Sequence, residues 1–126
     1  MSRDLLLKAA EIYERNGRID GDYYDTDQAV QYDLDPHECR VCAVGAVDIA
    51  AGLTPDAMQG QPGADPTEQA AYDAVGNALR ALADHLALDP DQELDRGGLA
   101  IKIGGWHDET ATRRVLSEMR AAGGAA

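Results

Sequence analysis

Asp-Pro followed two residues later by Glu or Gln occurs three times in this chain, as Asp35-Pro36-His37-Glu38, Asp65-Pro66-Thr67-Glu68 and Asp89-Pro90-Asp91-Gln92. An Asp at the N-cap accepts from the free amides of the first turn, and a Glu or Gln at the third position reaches back to the cap amide. Pro at the first position lacks a donor that would otherwise go unpaired. Each copy therefore predicts a helix start, and a chain punctuated in this way is directed to a helical fold. Thr54-Pro55 is a shorter version of the same device.

The apolar spacing supplies the rest. Leu5, Leu6, Ala9, Ile12 and Tyr13 form a stripe of helical period ahead of Gly17, which predicts a helix over 3–16. The first Asp-Pro copy predicts a helix over 36–51, ended by Gly52 and apolar nearly all round, hence buried and central. On it Cys42, Gly45, Ala46 and Ile49 form a flat face that a neighbouring helix can approach, the obvious neighbour being 66–87 with its stripe of Tyr72, Val75, Leu79, Leu82 and Leu86. A short helical turn is expected after Asp89. Residues 99–103 (Leu-Ala-Ile-Lys-Ile) alternate as a strand would but have no partner strand, so strand, helix and coil stay open. Gly104-Gly105 is expected to break the chain before Trp106, and a last helix over 110–122 places Val115, Leu116 and Met119 inward. The expectation is an all-α bundle of about four main helices with one or two short turns, one domain over 1–122 and a frayed tail over 123–126.

The chain has 126 residues and a formal net charge of −12, enough for one core. Nucleic acid and anionic membranes carry the same sign of charge, so neither is an expected partner. The longest apolar stretch, 41–51, is interrupted by Asp48 and falls well short of the roughly 20 residues that span a bilayer. The first residues lack the pattern of a signal peptide, so the expected location is the cytoplasm, where Cys39 and Cys42 stay as thiols. Asp exceeds Glu, Arg exceeds Lys and Phe is absent, a bias that suits a high-GC genome or adaptation to a salty solvent.

Cys39 and Cys42 form C-x-x-C at a helix start, where free amides favour a thiolate. No strand leads into the helix and no βαβ pattern surrounds it, which argues against redox chemistry. His37 extends the pair to H-x-C-x-x-C, but a zinc site would need a further ligand from His85 or His107, and no second paired motif is present. The expectation is therefore buried thiols packing a helix, with no metal and no cofactor. Cys42, His107 and Asp108 supply the residue types of a nucleophile, a base and an orienting acid, the makings of a cysteine-nucleophile hydrolase or transferase. In an extended segment the adjacent His107 and Asp108 would point to opposite faces, and Asp108 could instead cap the last helix.

Between 20 and 35, six aspartates are interleaved with Tyr23, Tyr24 and Tyr32. A calcium loop is ruled out because Tyr24 stands where a third oxygen ligand is required. Tyrosines among acids suit a protein-binding surface, with Tyr23, Tyr24, Asp25, Asp27 and Tyr32 as contacts and a basic partner surface. The alternative is a solvated 17–35 loop whose tyrosines lie against the core.

Cys42-Ala43-Val44-Gly45-Ala46, then Ala50 and Gly52, then Trp106-His107-Asp108 and the helix with Val115 and Leu116, resemble an uncharacterised family of small proteins from actinobacteria and their phages. Its pattern is a C-x-x-G-A helix, a variable helical middle and a W-N-D turn before a V-L helix, and the resemblance covers 1–122. The matching positions are Cys42, Gly45, Ala46, Trp106 and Asp108. His107 stands where that family commonly has Asn, which implies that no base is required there, and Cys39 lies outside the pattern. The resemblance implies no activity. A packing account covers the same positions: Gly45 and Ala46 let helices close up, Trp106 anchors their end, and Asp108 caps the next helix. The resulting expectation is partner binding, with a phage- or prophage-derived host modulator, such as a DNA mimic, as one form of it.

Overall fold

The computed structural model describes residues 2–91 and 93–124. It is all-helical, 66% helix, with six helices, two 3-10 turns and no strand among the described residues. The helices are α1 (Ser2–Asn16), α2 (Thr26–Tyr32), α3 (Ala43–Ala50), α4 (Pro66–Leu86), α5 (Arg96–Asp108) and α6 (Thr112–Ala122). The 3-10 turns are Pro36–Glu38 and Ala57–Gln59.

α1 follows its stripe, burying Leu6, Ala9, Ala10, Ile12 and Tyr13. It closes at Gly17, whose φ of +91° suits a residue without Cβ and whose amide donates to Tyr13 O at 3.1 Å. α3 is the interior element, with every residue from Ala43 to Asp48 buried, and α1 is its main packing partner, with α5 and α4 completing its surround. α4 turns Tyr72, Val75, Ala78, Leu79, Leu82 and Ala83 inward, and α6 packs Val115, Leu116 and Met119 against α1 and α4.

Only one of the three Asp-Pro copies opens a long helix. Asp65 caps α4 by accepting from the Thr67 amide at 2.8 Å. Glu68 reaches past the cap amide to the Gly63 amide at 3.3 Å. At the first copy the cap also forms, Asp35 accepting from the His37 amide, yet the helix stops after one 3-10 turn. The cause is competition for the backbone of 39–42. Val41 N–H donates to Gly17 O at 3.0 Å, Cys42 N–H to Tyr23 O at 3.2 Å and Arg40 N–H to the Gln28 side chain at 2.9 Å. Arg40 O in turn accepts from Asp25 N–H. These tertiary bonds hold the segment extended, so the expected 36–51 helix is corrected to 43–50, with Cys42 as its N-cap. At the third copy Asp89 is drawn into a partly buried ion pair with Arg80 at 3.0 Å and accepts from the Leu94 amide, and the helix waits for Asp95, which caps α5 through the Gly98 amide at 2.8 Å. Gln92, the copy's last residue, lies outside the described residues.

Residues 99–103 are helical, and Gly104-Gly105 is no break. Leu99, Ile103 and His107 fall four apart on one buried stripe while Ile101 points out, 74% exposed. Burying that stripe against α4 and α3 outweighs the roughly 1 kcal/mol that each helical glycine costs relative to Ala. The expectation of four main helices thus omitted 26–32 and 96–108.

The flat face of α3 also has a different occupant. A Cβ on Gly45 would collide with the carbonyl oxygen of Tyr23 and with Val41, and would press on Pro55 at 3.3 Å. Gly45 admits an extended segment and a loop, which supply the atoms nearest to it. Ala46 is fully buried in the core, and Trp106 is half-buried at its edge. α6 starts at Thr112 behind Ala111 with no side-chain cap, so Asp108 does not serve it. Gly123 is buried and donates to Met119 O, whereas 125–126 lie outside the described residues. No helix of the described residues is long and apolar enough to cross a membrane.

Candidate functional site

α3 and α5 meet the 21–23 segment at a cleft of about 220 Å³. Its walls are Gly21, Asp22 and Tyr23 on one side, Cys42 at the start of α3, and Ala100, Ile101, Gly104, Gly105 and Asp108 along α5. Neither Gly104 nor Gly105 has a positive φ, and a Cβ on either would meet nothing within 4 Å. Packing does not demand these glycines, and their effect is to leave one face of α5 bare.

One end of the cleft is fastened by charge. Arg18, just past α1, donates to the carbonyls of His107 and Thr110 at the C-terminal end of α5 and, through Nε, to Asp20 Oδ1 at 2.7 Å. A guanidinium there satisfies carbonyls that the helix leaves free and complements the dipole. Asp108 returns the contact, its Oδ2 accepting from the Gly21 amide at 3.2 Å.

His107 sits behind this junction, fully buried. Its Nε2 is hydrogen-bonded to the Tyr13 hydroxyl at 2.9 Å, and its Nδ1 lies 3.0 Å from Asp108 Oδ1 and 3.7 Å from Asp20 Oδ1. The Tyr13 ring meets the imidazole edge-on, with centroids 5.5 Å apart. Burial pushes the His107 pKa below the usual imidazole range, and the bond to Asp108 opposes that shift. The expectation that adjacent His107 and Asp108 would point apart assumed an extended segment; on a helix they are about 100° apart, and the carboxylate reaches the ring.

The three residues of the nucleophile reading are therefore only partly assembled. Cys42 and Asp108 line one cleft and His107 pairs with Asp108, but the Cys42 sulfur is bonded to the Gly45 amide at 3.4 Å and makes no hydrogen bond to the imidazole. Burial pushes the Cys42 thiol up to about 12, outweighing the amides at the start of α3, so the thiol is neutral at physiological pH. Cys39 is buried with its Sγ on Asp35 O, His37 is bonded to Asp35 at 2.6 Å, and His85 faces Glu118. The H-x-C-x-x-C ligands do not converge.

The tyrosine-rich acidic segment divides in two. Tyr23 packs on the core and lines the cleft, Tyr24 bridges to Val41, and Asp25 caps α2 through the Gln28 amide at 2.9 Å. Asp27 and Tyr32 remain on the surface of α2, Tyr32 65% exposed, and Val30 joins them at 85%.

Sequence reasoning does not place four residues that matter here. Tyr13 reads as core, Arg18 is not singled out, and Asp20 counts only within the acidic segment, where a calcium loop is ruled out. Asp48 left a signal, as the one charge within an apolar run. It is fully buried on α3, neither of its carboxyl oxygens has a hydrogen-bond partner among the described residues, and burial pushes its pKa up to about 8. The nearby Met58 amide and the charge of Arg96 offset this only in part, and Asp56 adds to it.

No curated protein and no solved structure matches this chain. The sequence profile of a family of unknown function, DUF6197, matches residues 1–125, nearly the whole length, and the chain belongs to that family.

Proposed function

We propose that this is an acidic cytoplasmic module that binds a protein partner, presenting α2 to a basic surface. The observation that carries the reading is that α2 buries none of its residues while displaying Val30 and Tyr32. A helix of seven residues has little stability of its own. This one is held from both ends: Asp25 caps its start, Asp33 closes it in the left-handed region at φ +52°, and Gln28 ties it to Arg40. Such fixation of an element that adds nothing to the core supports a role in presentation. Asp27 and Asp33 flank the apolar pair, and the chain's charge of −12 favours a basic partner through steering. Tyr23 and Tyr24 are half-buried and Asp25 is engaged as the cap, so Asp27, Val30 and Tyr32 are the contacts.

A photo-reactive benzoyl-phenylalanine placed at Val30, with Ser117 on the exposed face of α6 as the control position, tests this. The expected result is one cross-linked protein at position 30, lost with Asp27→Lys plus Asp33→Lys and weakened in about 0.5 M salt. Equal cross-linking from position 117, or insensitivity to charge reversal, rejects the reading.

A further inference from the structure

Asp20, His107 and Asp108 offer one ligand atom each, and these atoms all lie within 4.8 Å of one another. We infer that the three form a binding site for a divalent first-row transition-metal ion, of the Zn²⁺ or Mn²⁺ class, at the edge of the cleft between α3 and α5. Metal–ligand bonds of about 2.1 Å place neighbouring donor atoms roughly 3 to 3.4 Å apart. The His107 Nδ1 to Asp108 Oδ1 separation of 3.0 Å already meets that, Asp20 Oδ1 lies 3.7 Å from Nδ1, and the two carboxylates, whose ligand oxygens lie within 4.8 Å of each other, draw together on the ion.

The outer contacts are those a metal site requires. The Tyr13 hydroxyl holds the far ring nitrogen of His107 at 2.9 Å, and a proton placed there leaves the Nδ1 lone pair directed at the carboxylates. The Gly21 amide holds Asp108 Oδ2, which leaves Oδ1 to coordinate. Arg18 holds Asp20 through Oδ1 itself, at 2.7 Å, so a second lone pair of that oxygen is the one left for the ion, and Arg18 is anchored on the carbonyls of α5. Two carboxylates and one guanidinium around a neutral imidazole leave a local charge of −1, attractive to a dication. A proton on Nδ1 can be shared well with only one of the two carboxylates that face it, whereas an ion satisfies both. The mixed nitrogen and oxygen donors favour zinc or manganese over calcium and magnesium, which prefer oxygen alone. Three protein ligands leave further positions for water. Asp108 belongs to both the site and the cleft, so an ion here would border that space.

Isothermal titration of the full chain with Zn²⁺ and with Mn²⁺, beside Asp20→Asn, Asp108→Asn and His107→Gln, decides it. At 108 asparagine keeps the oxygen that accepts from Gly21 and turns the coordinating one into an amide nitrogen, whereas at 20 it leaves the oxygen on Arg18 and removes the negative charge; both aspartates are exposed, so these two variants stay informative even if His107→Gln fails to fold. One ion per chain is expected, with affinity falling about tenfold or more in each variant. No stoichiometric binding overturns the inference, as does binding that Asp20→Asn and Asp108→Asn leave unchanged, which would place the ion elsewhere among the chain's many carboxylates.

Discussion

α3 and α5 face the same cleft and handle the same two problems, a buried polar side chain and a glycine within a helix, in opposite ways. On α5 the buried His107 has a partner at each ring nitrogen, and Gly104 and Gly105 look into free space. On α3 the buried Asp48 has no partner for either oxygen, and Gly45 is pressed by Tyr23, Val41 and Pro55. A buried polar group persists either by being bonded or by being neutral. α5 uses the first solution and α3 the second, so the larger dependence of stability on pH belongs to Asp48, while His107, whose pKa burial lowers, acts in the opposite sense.

The largest effect therefore belongs to Asp48. Its folded-state pKa, about 8, lies above the ordinary carboxyl value of 3.8, so between these limits the folded chain holds one more proton than the unfolded chain. Its contribution is fully present below the unfolded value and is lost as pH rises through the folded one. At about 1.4 kcal/mol per unit, the difference accumulates to roughly 6 kcal/mol, about 4 of it between pH 5 and 8. The charge of Arg96 opposes the loss, while Asp56 adds to it, as do Tyr23, Tyr72 and Cys42 should they ionise. Urea unfolding of the wild type and Asp48→Asn at a series of pH values from 5 to 9 is the measurement, and subtracting the variant removes every other titration. Parallel curves would mean that the carboxyl is solvated and that the contrast between the helices fails there.

Gly45→Ala comes next. The new methyl would meet the Tyr23 carbonyl, itself fixed by the Cys42 amide, so relief requires backbone movement. A loss of about 3 kcal/mol is expected, at the upper end for overpacking. Thermal unfolding reads it, and a neutral result would show that the 21–25 segment yields, contrary to the hydrogen bonds that tie it to 40–42.

How legible these features were depends on what decides each one. α1 and α4 were plain because local period, cap and stop agree, and little in the tertiary structure opposes them. The 36–51 reading failed at 36–42 because amides of residues 40–42 bond to Gly17, Tyr23 and Gln28, and no local signal encodes that competition. Within α5, the alternation of Leu99, Ile101 and Ile103 fits two periods over so short a run, and the glycines argued against helix with a penalty that burial outweighs. At the candidate site, Cys42, Tyr23 and Asp108 were chosen for their chemistry and do share a cleft. Asp20, Arg18 and Tyr13 reach His107 only through the return of the chain past α1, a placement that residue type does not announce.

The smallest effect tests the other half of the comparison. Gly105 is exposed within α5, has no positive φ, and a Cβ there would touch nothing. Alanine should therefore stabilise the helix by about 1 kcal/mol, since it lowers the backbone entropy of the unfolded chain and introduces no contact to strain. In a domain of this size that raises Tm by about 4 °C. The gain should hold from pH 5 to 9, because the added methyl carries no charge and meets no other group. A loss of stability would show that something closes over the bare face of α5 and that the two helices are crowded alike. A gain would mean that the glycine leaves stability unused, and the feature it preserves is open space beside Cys42 and Asp108, where a bound molecule or the water of a metal ion needs room.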